Sequence, residues 1–212
     1  MSAQNSSSLV LSTVTTMMLL LHLTFLALLS SQALAYSPDD FIHTLGATMW
    51  GFWGLTDACA NGSYAYGFEI SVEEQHGALD DDTSVNAIKL FCHTPEGIHT
   101  GEVTSSTFNR GSWTGAHICS SYLTGYDIKM HPEEGALGDN TAANALRMYC
   151  DGGDYIEAPG NKWGDWLGPS HCRSGMAVCG LMTRVDDDQG TFGDDTALND
   201  VRFLCCDLPA KK

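Results

Sequence analysis

The first 35 residues of this 212-residue chain contain no Asp, Glu, Lys or Arg. After them no run is apolar enough to span a bilayer, which takes roughly 20 residues. Basic residues are scarce throughout: ten Lys and Arg stand against 26 Asp and Glu, a formal net charge of −16. That deficit excludes nucleic acid and anionic lipid as partners, since both would be repelled. It is compatible with extracellular solubility or with cationic partners. Catalytic and metal motifs are missing as well. Without GxSxG, HExxH or CxxC, the chain offers no nucleophile elbow, no zincin helix and no zinc knuckle. Asp186-Asp187-Asp188 lacks the ligand spacing and closing Glu of an EF-hand. No metal or cofactor is expected. No segment after residue 35 carries several turns of amphipathic helical period. Short alternating runs, 22 glycines and frequent turn signals instead define an all-β chain.

What is present begins with a secretory signal. Residues 1–35 hold an apolar run from Met17 to Leu29 and end in Ala33-Leu34-Ala35, with small residues at both specificity positions of a signal peptidase. Cleavage there leaves residues 36–212 as a single domain that retains all eight cysteines. An even count in an exported chain reads as disulfides.

Three cysteine-terminated segments organise that domain: DDTSVNAIKLFC at 81–92, DNTAANALRMYC at 139–150 and DDTALNDVRFLC at 194–205. Upstream, Gly67, Gly125 and Gly180 share one column, and Trp53/Cys59, Trp113/Cys119 and Trp166/Cys172 are each six apart. The chain is therefore a threefold repeat, with copies at approximately 46–98, 99–156 and 157–206. One copy cannot close a core, so three pack around a common axis. In each closing segment apolar residues alternate, as in Ile88, Leu90, Cys92, the period of a half-buried strand. The outward position between them is basic: Lys89, Arg147 or Arg202. Cross-strand pairing with acids of the preceding segment, such as Glu73, Glu133 and Asp187, is expected to hold these cations. Glycine inside a strand run such as YAYGFEISVE predicts a bulge or a close backbone approach.

Equivalent positions making equivalent bonds would join Cys59 to Cys92, Cys119 to Cys150 and Cys172 to Cys205. Cys179 and Cys206 are then left to each other. An exchange of Cys172 and Cys179 between the adjacent Cys205 and Cys206 stays open.

The phrases WGFWG at 50–54, YAYGFEISVE, WGDW at 163–166 and GDDTALNDVRFLCC at 193–206 resemble the vitelline membrane outer layer protein 1 family. The likeness runs from about Gly46 to Cys206. It implies a β-prism of three Greek-key sheets with pseudo-threefold symmetry, secretion, a place in an extracellular coat, and association with glycans or glycoproteins.

The residues themselves allow two functions. Exposed tryptophans can stack on pyranose CH faces while acids and amides take the hydroxyls. Trp50 and Trp163 are the candidates, because Trp53, Trp113 and Trp166 recur at one repeat position that packing explains. The alternative is a glycan-processing hydrolase or transferase acting on amino-sugar oligosaccharides through carboxylates among Asp81, Asp82, Asp194 and Asp195. Threefold repetition favours a turn-shaping role for those acids, since catalysis needs an asymmetric pair. Asn61-Gly62-Ser63 is an N-glycosylation acceptor. A monomer is expected.

Overall fold

Antiparallel pairing of short alternating segments builds nearly everything in the computed structural model, which describes residues 36–73, 83–131, 142–186 and 196–210. The predicted signal segment 1–35 lies outside those residues. So do Asp81, Asp82, Glu133, Asp139, Asn140, Asp187, Asp194 and Asp195. Among the described residues, fifteen strands follow a 3-10 turn at Pro38–Asp40. The first eight are β1 (Phe41–Ile42), β2 (Phe52–Trp53), β3 (Asp57–Ala58), β4 (Tyr64–Val72), β5 (Val85–His93), β6 (His99–Val103), β7 (Ser112–Trp113) and β8 (His117–Ile118). The others are β9 (Leu123–Met130), β10 (Ala143–Cys150), β11 (Tyr155–Ala158), β12 (Asp165–Trp166), β13 (Ser170–His171), β14 (Met176–Val185) and β15 (Leu198–Asp207).

These strands make three five-stranded sheets of one design. A long hairpin forms the centre of each: β4/β5, β9/β10 or β14/β15. A strand borders one side (β6, β11 or β1), and two short strands share the other (β7 and β8, β12 and β13, or β2 and β3). This is the three-sheet β-prism that the repeat anticipates. The sheets are offset from the sequence repeat, however. The Trp-bearing strand of each copy pairs with the hairpin of the copy before it, and that of the first copy closes onto the third. One continuous core draws from all three hairpins, including Phe68 and Ile88, Tyr126 and Leu146, Leu181 and Phe203. Tyr126 ties two sheets together: its buried hydroxyl donates to the Val201 carbonyl at 3.1 Å and accepts from Thr44 N–H at 2.9 Å. Burial pushes that phenol far up from its ordinary pKa.

The disulfides are Cys59–Cys92, Cys119–Cys150, Cys172–Cys205 and Cys179–Cys206. Cys59, Cys119 and Cys172 each follow a short strand on one sheet, hydrogen-bonded to it through Cys179 O, Tyr66 O and Thr124 O. Their partners lie on the central hairpin of the next sheet. Three bridges therefore run round the prism, one across each seam. The fourth joins β14 to β15 within a single sheet. Neighbouring strand residues point to opposite faces, so Cys205 and Cys206 cannot exchange partners without a register slip.

Gly67, Gly125 and Gly180 meet both halves of the expectation. Each central hairpin has a register shift beside its glycine. A Cβ there would sit 2.7, 2.6 or 2.7 Å from the carbonyl oxygen of His117, Ser170 or Asp57, on the short strand crossing it.

Lys89 and Arg147 pair across strands as expected, but with acids other than those named. Lys89 reaches Glu69 at 2.8 Å and Glu102 at 3.4 Å, and Arg147 reaches Glu157 at 2.8 Å. Register decides this: Glu69 and Lys89 are direct cross-strand partners, as are Arg147 and Glu157, whereas Glu73 lies beyond the end of β4 and accepts from Thr83 Oγ1 at 2.7 Å.

Candidate functional site

The two recurrent columns, Trp and basic, meet across the copies. Gly51, Gly111 and Gly164 have φ of +73°, +78° and +79°, a conformation that suits glycine. At each of them a Cβ would collide with the backbone of Val185, Val72 or Met130. This turn delivers the tryptophan two residues later onto the neighbouring hairpin. Lys89 Nζ then lies 4.3 Å from the Trp113 ring centroid, Arg147 Cζ 4.2 Å from Trp166 and Arg202 Cζ 4.4 Å from Trp53. Such stacks are worth about 0.5–1 kcal/mol where exposed and more where desolvated. Arg147 is also 4.3 Å from the Tyr155 ring. The tryptophans are outer-face packing residues rather than core.

Beside two of these stacks lie equivalent grooves. One, of about 550 Å³, is lined by Val72, Glu73, Trp113, Pro159 and Asn161 among others. The other, of about 430 Å³, has Val185, Asp186 and Trp53 at the equivalent positions, with Asn109 and Arg110 on its far side. The acid at each rim is held by the threonine of the following DDT triplet, Thr83 to Glu73 at 2.7 Å and Thr196 to Asp186 at 3.3 Å. In the larger groove Asn161 Nδ2 donates to the Glu73 carbonyl at 3.4 Å. Each groove thus combines an aromatic wall with a positioned carboxylate and an amide. A third cavity, of about 420 Å³, is bounded by Tyr149, Asp151, His171 and Arg173, with the Tyr149 and His171 rings 4.7 Å apart.

Trp50 and Trp163 stand at one repeat position, each just before its left-handed glycine, 51% and 40% exposed. They precede β2 and β12, strands of different sheets, so the fold does not gather them into one site. Lys162 Nζ sits 4.7 Å over Trp163. Asn61 is exposed in the turn after Cys59. Asp81, Asp82, Asp194 and Asp195 fall outside the described residues. Among the described residues, no group of three or more His, Cys, Asp or Glu could hold a metal ion, and no helix is long and apolar enough to cross a membrane.

Two features escaped the sequence reading. Ser84, Ala142 and Ala197 adopt positive φ of 63°, 38° and 49°. The buried Asn two residues on donates back to each carbonyl, at 3.3, 3.1 and 3.1 Å. The Asn86, Asn144, Asn199 column was visible in the repeat and is the signal that could have found this turn. The second is Asp200, whose carboxyl burial pushes up to about 6, against the Val201 N–H bond and the charges of Arg202, His43 and Arg184.

Fold and grooves define a β-prism protein. Two solved structures share that architecture. A prostate-specific WGA16 glycoprotein lectin aligns with TM-score 0.51 at 9% identity, covering 79% of this chain and 99% of its own. The Calsepa lectin in complex with a biantennary N-glycan aligns at 0.50 and 16%, covering 81% and 99%. At such identities the likeness concerns the fold. Sequence carries the closer relationship: residues 41–208 match the Vitelline membrane outer layer protein I family, and the chain belongs to it. Vitelline membrane outer layer protein 1 homolog of Homo sapiens is 38% identical over 161 residues, 74% of this chain and 78% of that one. The Mus musculus homolog is 38% identical over 169 residues, 77% and 81%.

Proposed function

We propose that this is a secreted extracellular-coat protein that binds neutral glycans, with the groove at Trp113 as a binding site. The observation carrying this is the Trp113 wall itself. The indole is 43% exposed, pinned by its pairing to Ser71 and backed by the Lys89 ammonium. A pyranose presents CH groups to such a ring and hydroxyls to its surroundings. Glu73 and Asn161 line the same groove and can take such hydroxyls, and its volume of about 550 Å³ lies within the usual range for ligand sites. A formal charge of −16 disfavours sulfated or uronic chains and leaves neutral or amino sugars. Trp163, exposed at the corresponding edge of the next sheet, offers a secondary stacking surface. Family membership and the four bridges support export, and Asn61 is an accessible acceptor for a glycan of its own.

The test is a glycan array of neutral and sulfated oligosaccharides, followed by titration of the strongest hit against Trp113→Ala. Binding of neutral chains, weakened at least about tenfold by the substitution, is expected. No neutral hit, or binding indifferent to Trp113→Ala, overturns the assignment. Chito-oligosaccharides incubated with the protein are checked for products, whose appearance would replace binding by chemistry.

A further inference from the structure

Large exposed apolar side chains concentrate in one place. Met49, Trp50, Phe52 and Leu55 are 77%, 51%, 75% and 89% exposed. All four fall within seven residues, which span about 21 Å even when fully extended, a single interface footprint. The repeat supplies an internal control. Aligned on the left-handed glycine and the tryptophan after it, the same positions read Asn109, Arg110, Ser112 and Gly115 in the second copy. In the third they read Lys162, Trp163, Asp165 and Gly168. The fold tolerates polar residues at these positions, so the apolar set in the first copy is not a folding requirement. Residues 41–56 also contain no Asp, Glu, Lys or Arg, in a chain of net charge −16.

We infer that this face binds a second copy of the same chain in a twofold, patch-to-patch dimer. Area and charge both favour that occupant. Taking about 200 Å² for a large side chain, the four present roughly 600 Å². Two copies would bury about 1,200 Å², at the lower edge of stable interfaces. A twofold axis brings identical patches together, so an apolar patch complements itself, with Arg184, whose Nη1 lies 3.7 Å from Met49 Sδ, as a charge beside it whose repulsion across the axis salt also relieves. The acidity lies on the rest of each subunit, where repulsion opposes association and salt relieves it. A cationic partner would behave oppositely, because salt would weaken its attraction. This dimer does not involve the Trp113 groove, so either assignment stands or falls without the other.

Sedimentation velocity of the secreted protein from 1 to 100 µM, at 0.05 and 0.5 M NaCl, tests it. A dimer that tightens with salt is expected. The triple substitution Met49→Asn, Trp50→Arg, Phe52→Ser imports the second copy's residues and should weaken dimerisation at least about tenfold, with an unchanged thermal melt. A Leu55→Ser variant, altering only an exposed side chain, should weaken it in the same direction if the triple variant fails to fold. Monomer at 100 µM in both salts overturns the inference. So does a dimer insensitive to both variants, or a face that binds neutral phospholipid vesicles or glycan without self-association.

Discussion

Removing disulfides one at a time separates the seam bridges from the one within a sheet. Cys119–Cys150 closes a stretch with sequence separation 31 and crosses from one sheet to the next. In the chain-entropy model a loop of that length is worth about 3.7 kcal/mol. Cys179–Cys206, at separation 27, would by itself be worth nearly as much, about 3.5 kcal/mol. It does not act alone. With Cys172–Cys205 intact, the unfolded chain already connects the two sulfurs by a short path: seven residues back from Cys179 to Cys172, across the bridge, and one on from Cys205 to Cys206. The incremental loop is then about eight residues, worth about 2.5 kcal/mol. Paired alanine substitutions, Cys119→Ala with Cys150→Ala against Cys179→Ala with Cys206→Ala, should therefore differ by about 1 kcal/mol, the seam pair costing more. Equilibrium guanidinium unfolding under non-reducing conditions measures this, once peptide mapping has shown the other three bridges intact. If the Cys179/Cys206 pair costs as much as the seam pair or more, the redundancy argument fails.

Two further outcomes follow from the same geometry. Gly125→Ala should cost about 2–3 kcal/mol by chemical denaturation, because its Cβ would press on the Ser170 carbonyl. Gly153→Ala, at φ +97° with nothing within 4 Å, should lose only about 1 kcal/mol from backbone strain; equal costs would refute the crossing-strand explanation. Asp200 contributes a pH dependence of its own. Its folded pKa, about 6 against an ordinary 3.8, lies above the unfolded value, so the native state is penalised as pH rises from about 4 through 6. The full shift corresponds to about 3 kcal/mol, which partial solvent access reduces to about 1–2 kcal/mol. Asp200→Asn should stabilise the protein by that amount at pH 8 and by almost nothing at pH 3; stabilisation independent of pH would show that burial of the charge is not the cause.

Much of the architecture was legible because it is local and written three times. Alternation in IKLFC, LRMYC and VRFLC assigns faces to a strand by its period of two, and the three hairpins obey it. Gly67, Gly125 and Gly180 announced close approaches because a side chain has no room there. The Asn column was equally visible but unread, since a side chain that secures a left-handed residue two positions earlier looks like any buried amide. The acid that pairs with Lys89 differs from the expected one for another reason. Glu73 and Glu69 are four residues apart in one segment, and only register says which of them faces Lys89.

By itself the sequence determined the period, the all-β class, the outward cations and the set of cysteines available to pair. Tertiary structure alone decided that each tryptophan strand leaves its own copy and docks on the hairpin before it, so that Trp53 meets Arg202 from the far end of the chain. The physical reason is that side-chain alternation specifies which face of a strand is buried, whereas its neighbour is chosen by long-range pairing and by the closure of three sheets round one core. The grooves at Trp53 and Trp113 exist only because of that exchange.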